Sequence, residues 1–151
     1  MRETARVQVR WADLDGYGHV NNAALFSLLE DARVQVLWAS DEVEVGPMAA
    51  VDGSPGAGTW TVIAHQEAEY LAQIPHHRRP LQIDVWIGRL GGASVTVCYE
   101  VMSPDRDVVY ARATTTVVMV DAATGSPRRL TDAERSTWEP FTEDPIEFRR
   151  R

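Results

Sequence analysis

The sequence predicts an α+β fold in which one antiparallel sheet buries an apolar face against a single long helix. Three observations point to it. After Asn22, apolar residues recur at spacings of three and four, the period of an amphipathic helix. Four later segments alternate apolar and polar residues, as strands with one buried face do. The last three of these are separated by short turns rich in Gly or Pro, so they pair as antiparallel neighbours.

Taken in order, Val7–Trp11 reads Val-Gln-Val-Arg-Trp and is expected to form the first strand. The residues from Ala12 to Asn22 carry two glycines and two asparagines, turn chemistry that leads into a helix cap. Leu25, Leu28, Leu29, Ala32 and Val36 then mark one face of a helix reaching about Trp38. Residues 41–58, DEVEVGPMAAVDGSPGAG, read as a long irregular loop. Strands are expected at Thr59–Leu71, Leu81–Leu90, Ala93–Met102 and Val108–Val120, with turns at Gly91-Gly92 and Pro104-Asp105. Thr131–Glu134 is a capping box for a short final helix, with Leu130 as its hydrophobic staple. The tail 145–151 is expected to fray. The 151 residues make one domain with one core, and no internal repeat is visible.

Composition narrows the chemistry. All 15 basic side chains are arginines, which removes Schiff-base, P-loop and general-base lysines. A net charge of −7 argues against indiscriminate nucleic-acid binding, so an anionic ligand must find local arginines. One cysteine, Cys98, can build neither a disulfide framework nor a cysteine-rich zinc site, which fits a reducing cytoplasm. The N-terminus has no apolar signal core and no stretch approaches the ~20 apolar residues of a membrane span. A soluble cytoplasmic protein is expected.

The densest constellation is Asp13-Leu-Asp15-Gly-Tyr-Gly-His19-Val-Asn21-Asn22, at the junction of strand and helix. A helix start offers unpaired N–H groups and about half a positive charge, which can hold a developing oxyanion. A carboxylate seven residues earlier, in a Gly-containing turn, can face the same point. A base or nucleophile beside an oxyanion donor is the minimum equipment for acyl transfer.

The string D-x-x-G-H-V-N-N followed by an amphipathic helix resembles the hotdog-fold acyl-CoA thioesterases of the 4-hydroxybenzoyl-CoA thioesterase superfamily. Ala68-Glu-Tyr-Leu, Pro80-Leu, Arg89-Leu-Gly-Gly-Ala-Ser, Ala111-Arg-Ala-Thr and Val120-Asp fall where family members carry similar strings, so the resemblance covers nearly the whole chain. It implies a sheet wrapped around the helix, subunits associated as a dimer or tetramer, and sites at the subunit interface. It makes Asp15 the nucleophile or general base and the backbone N–H of Asn22 the oxyanion donor. His19 matches a catalytic histidine in the Q-H-V-N-N string of plant acyl-carrier-protein thioesterases, although Tyr17 stands where those enzymes carry a helping asparagine. Gly18 and Asn21 are expected to contact substrate. The implied reaction is hydrolysis of an acyl-CoA, with no metal and no cofactor beyond the CoA of the substrate. An acyl-carrier-protein thioester is the alternative substrate, and a non-catalytic acyl-CoA-binding protein or a dehydratase the alternative functions.

CoA phosphates call for cations at the cleft, and Arg78, Arg79 and Arg89, then Arg128 and Arg129, are the candidates. Some relatives carry basic residues in the hairpin aligned with Gly91-Gly92, where this chain has none. Asp13 is expected to be structural, Glu30 and Asp31 solvated on the helix, and Cys98 a small packed residue. His76 and His77 would point to opposite faces if extended, a poor zinc pattern. The acyl pocket is expected between the long helix and the 41–58 loop.

Overall fold

The apolar stripe that follows Asn22 folds as a helix, α1 (Ala24–Leu37), and Leu25, Leu28, Leu29, Ala32, Val36 and Leu37 are all buried along it. The computed structural model describes residues 1–149. Beneath α1 lies a five-stranded antiparallel sheet built from β1 (Glu3–Val7), β2 (Thr59–Tyr70), β3 (Leu81–Leu90), β4 (Ser94–Met102) and β5 (Val109–Asp121), in the order β1-β3-β4-β5-β2. The expected alternation becomes the core: Leu81, Ile83, Val85 and Ile87 of β3 and Val95, Val97, Tyr99 and Val101 of β4 face the helix and are buried. The α+β layer and the hotdog arrangement of helix and sheet follow from this packing. No helix among the described residues is long and apolar enough to cross a membrane.

The first strand departs from its expectation, while the ends of the later strands agree to within one residue. The first strand is Glu3–Val7, four residues earlier than Val7–Trp11, and Trp11–Asp13 is a 3₁₀ turn. Val7 and Val9 are both buried, so the alternation was real, but the ladder stops where Val7 pairs with Leu81. The residue preceding Leu81 is Pro80, which has no N–H to continue the pairing.

The 41–58 segment is irregular yet tied to the core. Ala50 and Val51 N–H donate to the Leu37 carbonyl, and the Ala39 N–H donates to that of Val51, so the segment folds back on the end of α1. Met48 is buried, its N–H donating to Glu3 Oε2 at 2.9 Å. A side chain at Gly46 would run into that carboxylate and displace it from the Met48 N–H. The short helix α2 (Asp132–Trp138) starts with the expected reciprocal cap: Thr131 Oγ1 accepts from the Glu134 N–H at 3.0 Å, and Glu134 Oε1 accepts from the Thr131 N–H at 2.8 Å. It ends on Trp138, fully buried, whose indole N–H donates to the Met48 carbonyl at 2.8 Å. The tail that was expected to fray lies, up to Arg149, across the sheet face opposite α1. The Trp86 indole donates to the Asp144 carbonyl at 3.2 Å, and the Arg149 N–H to Glu69 Oε2 at 3.0 Å. Residues 150 and 151 lie outside the described residues.

Trp138→Ala is expected to destabilise the fold by about 3–5 kcal/mol, the usual range for emptying a buried Trp site. Urea unfolding measures it. A loss below about 1 kcal/mol would show that the 41–58 segment does not depend on this anchor.

Candidate active site at the acid turn

The acid turn is a small hairpin. Leu14 and Val20 form an antiparallel bridge, the Asp15 N–H donates to the His19 carbonyl at 2.8 Å, and the Gly18 N–H donates to the Asp15 carbonyl at 3.1 Å. A three-residue loop of this kind needs a left-handed residue at its end, and Gly18 supplies it with φ 82°. The Asp15 carboxylate holds the turn from inside: Oδ1 accepts from the Tyr17 N–H at 2.8 Å and from the His19 N–H at 3.3 Å. Its Oδ2 accepts no hydrogen bond among the described residues.

Two further bonds orient the hairpin against the rest of the chain. The Asn21 N–H donates to the Asp13 carbonyl and the Val20 N–H to the Ile74 carbonyl, each at 2.8 Å. Asp13, only 2% exposed, has the structural place expected of it, accepting from the Arg10 N–H at 2.8 Å and from Arg10 Nη2 at 3.0 Å. Burial alone would raise its carboxyl, but the hydrogen bonds and charge of Arg10 outweigh burial and hold it below the ordinary carboxylate range.

The start of α1 has no side-chain cap on its first turn. Instead, the Ala23 N–H donates to the side-chain oxygens of Asn21 and Asn22, at 2.8 and 2.9 Å. The Asn22 N–H donates to nothing among the described residues. Asn22 precedes the N-cap, so this unused donor belongs to the turn that opens the helix.

Asp15 and Asn22 line one pocket of ≈ 380 Å³, together with His19, Val20, Leu25, Tyr70 and the 71–74 segment. Nδ1 of His19 is buried in its wall and has no hydrogen-bond partner among the described residues. The 41–58 loop, expected to bound this pocket, lines a separate groove with the C-terminal end of α1. Gly18 shapes the turn and Asn21 caps it, but neither lines the pocket. The candidate cations are not at its wall either. Arg79 forms a two-pronged ion pair with Asp105 at 2.8 Å, and Arg128 pairs with Glu134 at 2.8 Å. Arg89 sits at the far end of β3, close to the β3–β4 turn. Arg78 is exposed on the loop that follows the pocket segment.

Tyr70 was not singled out from the sequence. It sits at the end of β2, lines the pocket, and its hydroxyl donates to the Asn22 carbonyl at 2.7 Å, joining the sheet to the helix-opening turn. Its only sequence signal was its place in the Ala68-Glu-Tyr-Leu string. Of the bland assignments, Cys98 is buried and Asp31 exposed. His77 Nε2 meets the Tyr110 hydroxyl at 2.8 Å. Among the described residues no group of three or more His, Cys, Asp or Glu side chains is placed to hold a metal.

The fold places the chain among hotdog thioesterases as a class. It resembles a predicted thioesterase from Bacillus stearothermophilus with a TM-score of 0.74 at 22% identity, covering 97% of this chain and 100% of the other. A thioesterase from Thermus thermophilus, solved with coenzyme A and Zn, matches at TM-score 0.67 and 25% identity, over 95% of this chain and 96% of that one. An uncharacterized protein of Bacillus subtilis, YsmA, is 26% identical over 132 residues, 87% of this chain and 82% of its own length. The chain belongs to the thioesterase-like superfamily, whose sequence model matches residues 9–146. Its reaction class is thioester hydrolysis.

The depressed Asp13 carboxyl sets an acid sensitivity. A folded-state pKa below the unfolded value, near 3.9, stabilises the fold above about pH 4, and that contribution is lost as pH falls through the folded pKa. Asp13→Asn is therefore expected to be less stable than the parent at neutral pH and to lose less stability between about pH 6 and 3. Parallel stability curves would contradict this.

Proposed function

We propose that the protein hydrolyses an acyl-CoA to a carboxylic acid and free CoA, with the thioester carbonyl held between Asp15 and the Asn22 N–H. One observation carries the reading: Asp15, whose carboxylate has one oxygen uncommitted among the described residues, and Asn22, whose N–H has no partner among them, line the same pocket. The Thermus thioesterase solved with coenzyme A supports CoA as the carrier.

In this scheme water, or Asp15 itself, adds to the carbonyl carbon, and the negative charge developing on the carbonyl oxygen is met by the Asn22 N–H. Asp15 takes the proton of the attacking water, or forms an acyl anhydride that water then opens. The C–S bond breaks and the sulfur leaves as CoA thiol. His19 lines the same pocket, with its Nδ1 buried and without a hydrogen-bond partner among the described residues. The exposed edge strand β2, with Trp60, Val62 and Ile63 uncovered, suits pairing with a second copy as a dimer or tetramer.

Substitution at position 15 separates turn from chemistry. An asparagine keeps the oxygen that accepts the Tyr17 and His19 N–H groups and loses the charge; alanine loses both. Asp15→Asn is expected to keep the parent's thermal stability while kcat for acyl-CoA hydrolysis falls by about 10²–10⁴-fold, the range for removing a general base. Asp15→Ala is expected to lose activity and stability together. A stable Asp15→Asn with undiminished thiol release would overturn the assignment.

A further inference from the structure

We propose that the outer face of Trp11 is a docking platform for the adenine ring of CoA, with Arg78, two residues beyond the ring that Trp11 stacks on, as the cation for the nucleotide phosphates. The inference rests on the acyl-thioester reading above and names the carrier that the site takes. Trp11 is 77% exposed, yet it is not a loose surface ring. Its indole stacks on His76 with centroids 4.5 Å apart and planes 5° from parallel, so one face is covered and the other is open. The turn that carries it is fixed by the Arg10–Asp13 pair. An aromatic surface held in place before binding loses little conformational freedom when a ring settles on it.

Its location ties it to the pocket. Trp11 leads directly into the Asp13–Asn22 turn, and His76 follows Pro75, which pairs with His19 across the pocket wall. The two rings therefore adjoin, in sequence, the two segments that line the pocket. Trp60, the other exposed tryptophan, lies at the opposite end of β2 from Tyr70. Two residues beyond His76, Arg78 is exposed and makes no ion pair among the described residues, whereas Arg79 next to it is held by Asp105. Asp13 and Asp105, on the turn that carries Trp11 and beside Arg79, are each paired with an arginine. In a chain of net charge −7, a phosphate depends on such a local cation. An acyl carrier protein presents the same pantetheine arm without an adenine, so this platform selects CoA.

The test uses the full-length protein and two readouts. The first is calorimetric binding of 3′-phosphoadenosine 5′-diphosphate, the nucleotide half of CoA. The second is hydrolysis of one acyl group carried on CoA and on pantetheine. Trp11→Ala is expected to weaken nucleotide binding about tenfold or more, as loss of a base-stacking ring does. KM for the acyl-CoA should rise similarly with kcat retained, the acyl-pantetheine should be unaffected, and Trp11→Phe should restore most of the loss. Arg78→Ala should weaken nucleotide binding severalfold. Unchanged nucleotide affinity in Trp11→Ala, or equal effects on both thioesters, overturns the proposal. So does a Trp11→Ala protein that loses its oligomeric state with nucleotide affinity intact, which would assign the ring to subunit contact. If neither thioester is hydrolysed while the nucleotide binds through Trp11, the hydrolase reading fails and the platform stands.

Discussion

The two amide hydrogen bonds that Asp15 accepts through one oxygen organise the site. They close a three-residue turn and fix the carboxylate's orientation, and its second oxygen accepts from no donor among the described residues. A turn aspartate and a reactive aspartate are often treated as alternatives; here one side chain can serve both roles because a carboxylate has two oxygens. The rest of the structure holds that turn against the helix. Asp13 carries the bond to Asn21, Ile74 the bond to Val20, and Tyr70 ties down the far side of Asn22.

The turn that opens α1 carries the second group of the site. Four N–H groups at a helix start have no intrahelical acceptor, and a side-chain cap commonly takes one. In α1 the cap position is Ala23, which has no such side chain, and the asparagine oxygens before it are directed to the Ala23 N–H. The Asn22 N–H, one residue before that cap, has no partner among the described residues, and Asn22 lines the pocket with Asp15. The core beneath, with α1 packed on β3 and β4, holds the helix rigidly enough for that geometry to persist.

Much of the fold was legible because its signals are periodic and local. α1 and β3 to β5 announce themselves through spacing and through the turns at Gly91-Gly92 and Pro104-Asp105, and the α2 cap through Thr131 and Glu134. The first strand was displaced because alternation shows which face is buried, not where hydrogen bonding ends; that limit was set by Pro80, just before a strand distant in sequence. The tail held by Trp86 and Glu69, and the 41–58 segment pinned by Trp138, depend on long-range partners that no local pattern encodes. Of the site, Asp15, His19 and Asn22 were legible as a motif and share the pocket, whereas Tyr70 was not, since one tyrosine at a strand end has many fates. No arginine among the described residues lines the pocket, and composition cannot tell which guanidinium is already paired, as Arg79 and Arg128 are.

The most direct measurement is a crystal structure of the protein with an acyl-CoA analogue in which a methylene replaces the sulfur and blocks hydrolysis. The account predicts the ketone oxygen about 2.7–3.1 Å from the Asn22 nitrogen, the distance of an oxyanion donor, with Asp15 on the other side of the carbonyl carbon. A bound analogue whose carbonyl points away from Asn22, or whose acyl end lies outside the pocket between Asp15 and Tyr70, would contradict it.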